Sequence, residues 1–215
     1  MTGSFSEKKT ALVISPHPDD LEISCAGTLR KLQCQGYKII SVITVQPSAE
    51  DNPNRTELIV RQELANSYEH SKFELRVHDT DLWPNKRPNL VVNNITMTKL
   101  AKLLVPCDIA IIPNPQDYHQ DHRATYDLAF PLVKKLANEI WLTNSYPYCH
   151  YYKNNTANLF VDITEHWDFK QKLLECYNSY LSAKDIEEIK ASNGYWGYRR
   201  GTQLAEAFSI VQKNV

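Results

Sequence analysis

The sequence predicts a doubly wound α/β domain, a mostly parallel sheet with helices on both faces in a Rossmann-like arrangement. Short β-branched runs recur, each bounded by turn residues. Several are almost continuously apolar at their centres, as strands covered on both faces are. Helix-like segments separate them, so successive strands are joined by crossovers and pair in parallel. No repeat, low-complexity run or linker interrupts this order, and 215 residues suit a single domain over 1–215.

The elements follow in order. Thr10–Ser15 (TALVIS), Lys38–Val45, Phe73–His78 and Asp108–Pro113 read as strands. Between them Thr28–Gln35, Glu57–His70 and Val92–Leu104 read as helices, the third capped by Asn93 or Asn94 and ended by Pro106. Pro131 is expected to kink or break a helix over Arg123–Ala137. Farther on, Glu139–Thr143 and Asn158–Asp162 read as strands, and Thr164 as the cap of a helix running to Leu181. Asn193–Gly201 (NGYWGYRRG), rich in glycine and aromatics, reads as a loop.

Composition narrows the partners. With 24 Lys+Arg against 25 Asp+Glu, the chain lacks the basic excess that nucleic acid or an anionic bilayer selects. Five cysteines without a C-x-x-C pair read as reduced thiols. The polar start Met1–Lys9 is followed by an apolar run, Ala11–Ile14, too short for a signal-peptide core. No stretch approaches the roughly 20 apolar residues of a membrane span. The expectation is a cytoplasmic protein.

In open α/β sheets, ligands bind beyond the carboxyl ends of the strands. The loop after the first strand is Pro16-His17-Pro18-Asp19-Asp20-Leu21-Glu22, and the loop after the fourth is Asn114-Pro115-Gln116-Asp117-Tyr118-His119-Gln120-Asp121-His122-Arg123. Alone, the first has an ordinary reading as a helix start, where aspartates cap amides. The second, alone, is a solvated loop with two surface histidines. Their coincidence on one rim of the sheet points to a metal site. Three ligands drawn from His and carboxylate, with an open fourth position, describe a catalytic zinc site, and Fe2+ or another divalent ion suits the same donors. Cys25, in the apolar run ISCAGTL, reads as a packed thiol. Asp19 and Asp20 point apart in a loop, so one can hold the ion while the other acts as general base. His119 and His122, three residues apart, can both reach one metal. The chemistry such a site supports is metal-assisted hydrolysis of an amide or ester.

The segment ISPHPDDLEISCAGTL resembles the signature of the PIG-L/LmbE-like N-deacetylases, zinc hydrolases that remove acetyl groups from N-acetylglucosamine-type sugars. NPQDYHQDHRAT is similar to that family's H-x-D-H motif, and Gly201–Phe208 to its C-terminal G-x-x-Y-A-E-A-F element, with Leu204 in place of Tyr. The resemblance implies His17, Asp20 and His122 as metal ligands and Asp19 as the base that activates water. It implies His119 as the electrophilic or acid partner, oriented by Asp121 through its other ring nitrogen. Arg61 is favoured over Arg55 for the family's substrate-binding arginine, on its distance to the third strand, and Asp81 occupies the place of a sugar-contacting acid. Leu21 stands where the family often has Glu.

Two further stretches could shape specificity. Tyr146–Tyr152 holds four tyrosines that would either stack on sugar faces or pack as strand residues. The arginines ending Tyr195–Arg200 would either hold an anion or be solvated. The expected activity is a metal-dependent hydrolase removing an N-acetyl group from an N-acetylglucosamine-type amino-sugar or its conjugate. The expected partner is that small molecule, with neither nucleic acid nor a membrane span, and a homo-oligomer is compatible with the sequence. The rivals are a metal-dependent amidase on a non-sugar acyl amine and a non-catalytic Rossmann-like nucleotide-binding module. No G-x-G-x-x-G or P-loop supports the latter, and HPDD would repel a phosphate.

Overall fold

Side-chain alternation along the strands sorts the core into two layers. In β1 (Thr10–Ser15), Ala11 and Val13 face one layer, Leu12 and Ile14 the other. β2 (Lys38–Ile43) and β4 (Cys107–Ile112) divide likewise, Ile39 and Ile111 against Ile40 and Ile112. Helices therefore cover both faces. The computed structural model describes residues 9–45, 56–77, 90–144, 146–147 and 157–213.

Helices α1 (Asp20–Cys34), α2 (Glu57–Ser71) and α5 (Trp167–Leu174) supply the first layer through Leu21, Leu64 and Leu173. Helices α3 (Asn94–Ala101) and α4 (Gln120–Val133) supply the second through Leu100 and Leu128. With β3 (Glu74–Val77), β5 (Ala137–Thr143), β6 (Leu159–Asp162) and β7 (Ala205–Lys213), the strands form one sheet in the order β3-β2-β1-β4-β5-β7-β6. The run from β3 to β5 is parallel, and β7 is antiparallel to both its neighbours. The predicted doubly wound fold is the one formed. Strand order reverses between β1 and β4, so their carboxyl ends flank the crevice where such sheets bind ligands.

Four elements differ most from the sequence expectation. α1 starts at Asp20, not Thr28, because Leu21, Cys25, Leu29 and Leu32 already form one buried stripe. Gly27 does not break this helix: a Cβ there would lie 2.8 Å from Ile163, so the helix needs the glycine for close packing. The expected helix from Thr164 to Leu181 is instead a short 3-10 turn, α5, and a second 3-10 turn at Glu175–Tyr177. Asp162, not Thr164, supplies the oxygen that accepts the first free amide, 2.9 Å from the Thr164 N–H.

Asn193–Gly201 is not a loop. It is largely the last half of α6 (Ala183–Arg200), which opens on a Ser182–Asp185 capping box and ends at Gly201 in the left-handed region, φ 79°. Glycine disfavours a helix by about 1 kcal/mol, and close packing overrides that cost. A Cβ on Gly197 would meet the Gln203 carbonyl oxygen at 2.5 Å. β7 is the fourth difference, a strand where only a family-like tail was read.

That tail positions the site. The Glu206 carboxylate of β7 accepts the Gly27 and Thr28 N–H groups of α1 at 3.1 and 2.7 Å. Lys170 of α5 donates to the Ile23 carbonyl at 2.8 Å and to Glu206 at 2.7 Å. Both ionic side chains have 0% exposure, so each depends on the other for compensation. The pair clamps the helix whose first residue is Asp20.

Candidate metal centre and active site

The β1–α1 and β4–α4 loops meet at the switch point. Asp20 stands between two histidines. One of its oxygens, Oδ2, accepts the His17 main-chain N–H at 2.8 Å and lies 3.0 Å from His17 Nδ1, while Oδ1 lies 3.2 Å from His122 Nε2. His17 Nε2 donates to Asp121 Oδ2 at 2.9 Å, and His122 Nδ1 donates to Asp117 Oδ2 at 2.8 Å. His119 completes the group, its ring centroid 4.9 Å from that of His17 and 5.0 Å from that of His122.

Asp19 occupies the N-cap position of α1 without doing a cap's work. It makes no side-chain cap bond, and its backbone sits at φ 96°. A non-glycine residue there costs on the order of 1–3 kcal/mol, and such strain gathers at functional sites. The side chain is buried beside Asp20. The plain helix-start reading is thus geometrically right and chemically insufficient.

The contact between Asp121 and the His119 ring is made by the Asp121 main chain. The Asp121 carboxylate was expected to orient His119; it goes to His17 instead, with its second oxygen 3.4 Å from the Leu90 N–H. His119 is the N-cap residue of α4, so its ring turns back over the first turn, where the Asp121 main-chain N–H donates to Nδ1 at 3.2 Å. Accepting at Nδ1 leaves the neutral ring's proton on Nε2. Asp121 therefore fixes the His119 tautomer with its amide. Asp117, which sequence reasoning passed over, is buried behind His122. Its signal was an acid five residues before a candidate ligand, too common a spacing to stand out.

With a carboxylate on each ring nitrogen, His17 and His122 are both held as imidazolium. Burial opposes their charge, but the bonds to Asp121 and Asp20 carry His17 up to about 9. For His122, burial is again outweighed, by the Asp20 charge and the Asp117 bond, and its pKa rises to about 10. Burial would raise Asp20, yet the two histidines hold it well below the usual carboxylate range. His119 moves the other way, lowered by burial and by the charges of His17 and His122.

The crowded carboxylates demand positive charge, which either two protons or one cation can supply. One nitrogen from each of His17, His119 and His122 lies within 4.8 Å of the others. The His17 and His122 imidazoles with the Asp20 oxygens form a nitrogen and oxygen donor set suited to Zn2+ or Fe2+, with the His119 ring beside them. The residues fit a divalent ion. A pH dependence follows. The raised histidines stabilise metal-free protein fully below about 6.5, and that contribution is lost as pH rises through about 9 and about 10. A cation must displace the same protons, so its affinity grows over the same range. The melting-temperature gap between metal-loaded and metal-stripped protein is expected to widen from pH 6.5 to 9.5. A constant gap would contradict the shared use of these histidines.

Residues 12–133, which include both loops, match the model of the family described as GlcNAc-PI de-N-acetylase, or PIG-L. The chain belongs to the PIG-L family. It is similar to the uncharacterized deacetylase YaiS of Escherichia coli, 29% identical over 59% of this chain and 69% of that one. It is 24% identical to the diacetylchitobiose deacetylase of Thermococcus kodakarensis, over 96% of this chain and 85% of the relative. Its fold is that of the N,N'-diacetylchitobiose deacetylase of Pyrococcus horikoshii, with a TM-score of 0.76 at 21% identity, covering 96% of this chain and 85% of that structure. The coarse activity is that of a PIG-L deacetylase, a hydrolase acting on an amide.

The remaining candidates of this PIG-L protein are placed unevenly. Arg61 lies exposed on α2, ion-paired with Glu57 at 2.6 Å. Arg55 and Asp81 lie outside the described residues, as does Tyr148–Tyr152. Tyr146 is half-buried, packs with the Ile163 and Trp167 cluster and bonds to Glu188. Arg199 stacks over Phe160 and Trp196. Cys25 is fully buried, and burial pushes its thiol far up, as a packed cysteine requires. Among the described residues, no helix is long and apolar enough to cross a membrane.

Proposed function

We propose that this PIG-L protein is a metal-dependent N-deacetylase of an N-acetylglucosamine-type amino-sugar or its conjugate, releasing acetate and the free amine. The observation that carries the reading is the Asp20 carboxylate, within 3.2 Å of both His17 and His122 at the switch point, with Asp19 and His119 beside it. The match over residues 12–133 and the chitobiose deacetylase relative support the substrate class.

His17, Asp20 and His122 would hold the ion, Zn2+ or another divalent metal such as Fe2+. When bound, it polarises the amide carbonyl and acidifies water. Asp19 takes the proton from the water that attacks the acetyl carbon. Asp20 is already engaged by His17 and His122, so base and ligand are separate carboxylates. The His119 Nε2–H donates to the oxygen that gains negative charge as the carbonyl becomes tetrahedral. The proton held by Asp19 then passes to the departing nitrogen, and the C–N bond breaks. Arg61, and Asp81 beyond the described residues, are the proposed sugar contacts.

His119→Ala is expected to retain the ion and lose roughly 10²–10³ in kcat, the usual worth of one such donor. Metal content and steady-state rates on one sample read both halves. If the variant emerges metal-free, His119 is a ligand. A panel of N-acetylated amino sugars and non-sugar N-acyl amines tests the substrate class. Acetate from the sugars supports the proposal, and hydrolysis of the non-sugar amides alone overturns it.

A further inference from the structure

Asp117 makes two bonds that lead to two different parts of the site. Its Oδ2 accepts the His122 Nδ1–H at 2.8 Å, and its Oδ1 accepts the His119 main-chain N–H at 2.8 Å. It is almost wholly buried, with 2% exposure, so these bonds are little diluted by water. We propose that Asp117 is a positioning residue, one carboxylate that fixes both the ring tautomer of His122 and the main chain that presents His119. The proposal rests on the metal-dependent reading above.

The loop is built to deliver that carboxylate. Asn114 accepts the Gln116 N–H on its side chain at 2.9 Å and the Asp117 N–H on its carbonyl at 3.1 Å, closing a turn with Pro115 at its second position. Arg123 Nη1, one helical residue past His122, donates to the Asp117 and Tyr118 carbonyls at 2.7 and 2.6 Å. Asp117 is therefore held by its own turn before it and by α4 after it. The main chain that carries the carboxylate is thereby fixed on both sides of it.

The chemistry needs this restraint. An imidazole binds a cation through the nitrogen that carries no proton, and the partner of the other nitrogen decides which one that is. A carboxylate can only accept, so Asp117 keeps the proton on Nδ1 and leaves Nε2 facing Asp20 as the donor atom. An Asn at 117 can turn its NH2 toward Nδ1. The ring then carries its proton on Nε2, where the ion must bind. The His119 main-chain bond survives only in that orientation and is lost in the other, so Asn cannot hold His119 and keep the proton on His122 Nδ1 at once.

Asp117→Asn tests this on metal-stripped protein reloaded with Zn2+ or Co2+. Competition with a chromophoric chelator gives the affinity, and the visible absorption of bound Co2+ reports ligand geometry without substrate. The expected result is an affinity for either ion about 10- to 100-fold weaker, an altered Co2+ spectrum, and a folded protein by circular dichroism. Asp117→Glu, which keeps the charge one methylene farther out, is expected to fall between Asn and wild type, and it carries the test if the Asn variant does not fold. Unchanged affinity and an unchanged Co2+ spectrum in either folded variant would overturn the role of Asp117. A wild-type chain that binds neither ion would instead overturn the metal-dependent function beneath it.

Discussion

Asp19→Asn is expected to keep its divalent ion and its fold while turnover falls by roughly 10²–10⁴, the usual worth of a general base. The substitution is matched to the site in shape and backbone. Asn preserves the volume of Asp, and it is one of the few residues that tolerate positive φ, which position 19 holds at 96°. What it removes is charge and basicity alone. Asp20→Asn, one residue on, is expected to do the reverse and weaken metal binding, because a neutral amide oxygen replaces an anionic ligand between His17 and His122. Metal analysis beside single-turnover rates separates the two aspartates. Near-normal deacetylation by Asp19→Asn would refute the base assignment, and loss of its metal would place both aspartates on the ion.

His17→Ala and His122→Ala are each expected to abolish stoichiometric metal binding and, with it, activity. Both also carry a structural penalty, shown by His122. Its ring sits between Asp20 and Asp117, and removing it leaves two crowded carboxylates without their shared cation. Breaking such a buried arrangement typically costs about 3–5 kcal/mol, so His122→Ala should also melt earlier than metal-free wild type. His17→Ala leaves Asp121 with the Leu90 N–H and Asp20 with His122, just as His122→Ala leaves Asp117 with the His119 N–H and Asp20 with His17, so the two losses are comparable. Full metal occupancy in both variants, measured after dialysis, would sink the ligand assignment.

The candidate site was legible in the sequence because the residues that form it lie in two short segments placed by a simple rule. Apolar runs mark β1 and β4, and the rule of carboxyl-end binding brings HPDD and HQDH to one rim. What could not be read was the division of contacts among neighbours. Asp121 and His119 are two residues apart, but the N-cap geometry of His119 sends the Asp121 carboxylate to His17, 104 residues earlier in the chain. Asp117 was hidden for a related reason: its importance lies in the turn that aims it.

The fold failed to be legible where packing overrode local preference. Gly27 and Gly197 disfavour helix locally, yet each permits a contact that a side chain would block, with Ile163 and with Gln203. β7 begins Ala-Glu-Ala, a poor strand former. The Glu206 in it is spoken for by Lys170 and by two amides of α1, partners that no local window contains.

The most direct measurement is acetate release from N-acetylated amino sugars by the same protein before stripping with a chelator, after it, and after reloading with Zn2+ or Fe2+. The account predicts release by the loaded protein, loss on stripping and recovery on reloading. Undiminished release after complete stripping, or no release from any such sugar by a fully loaded protein, would contradict it.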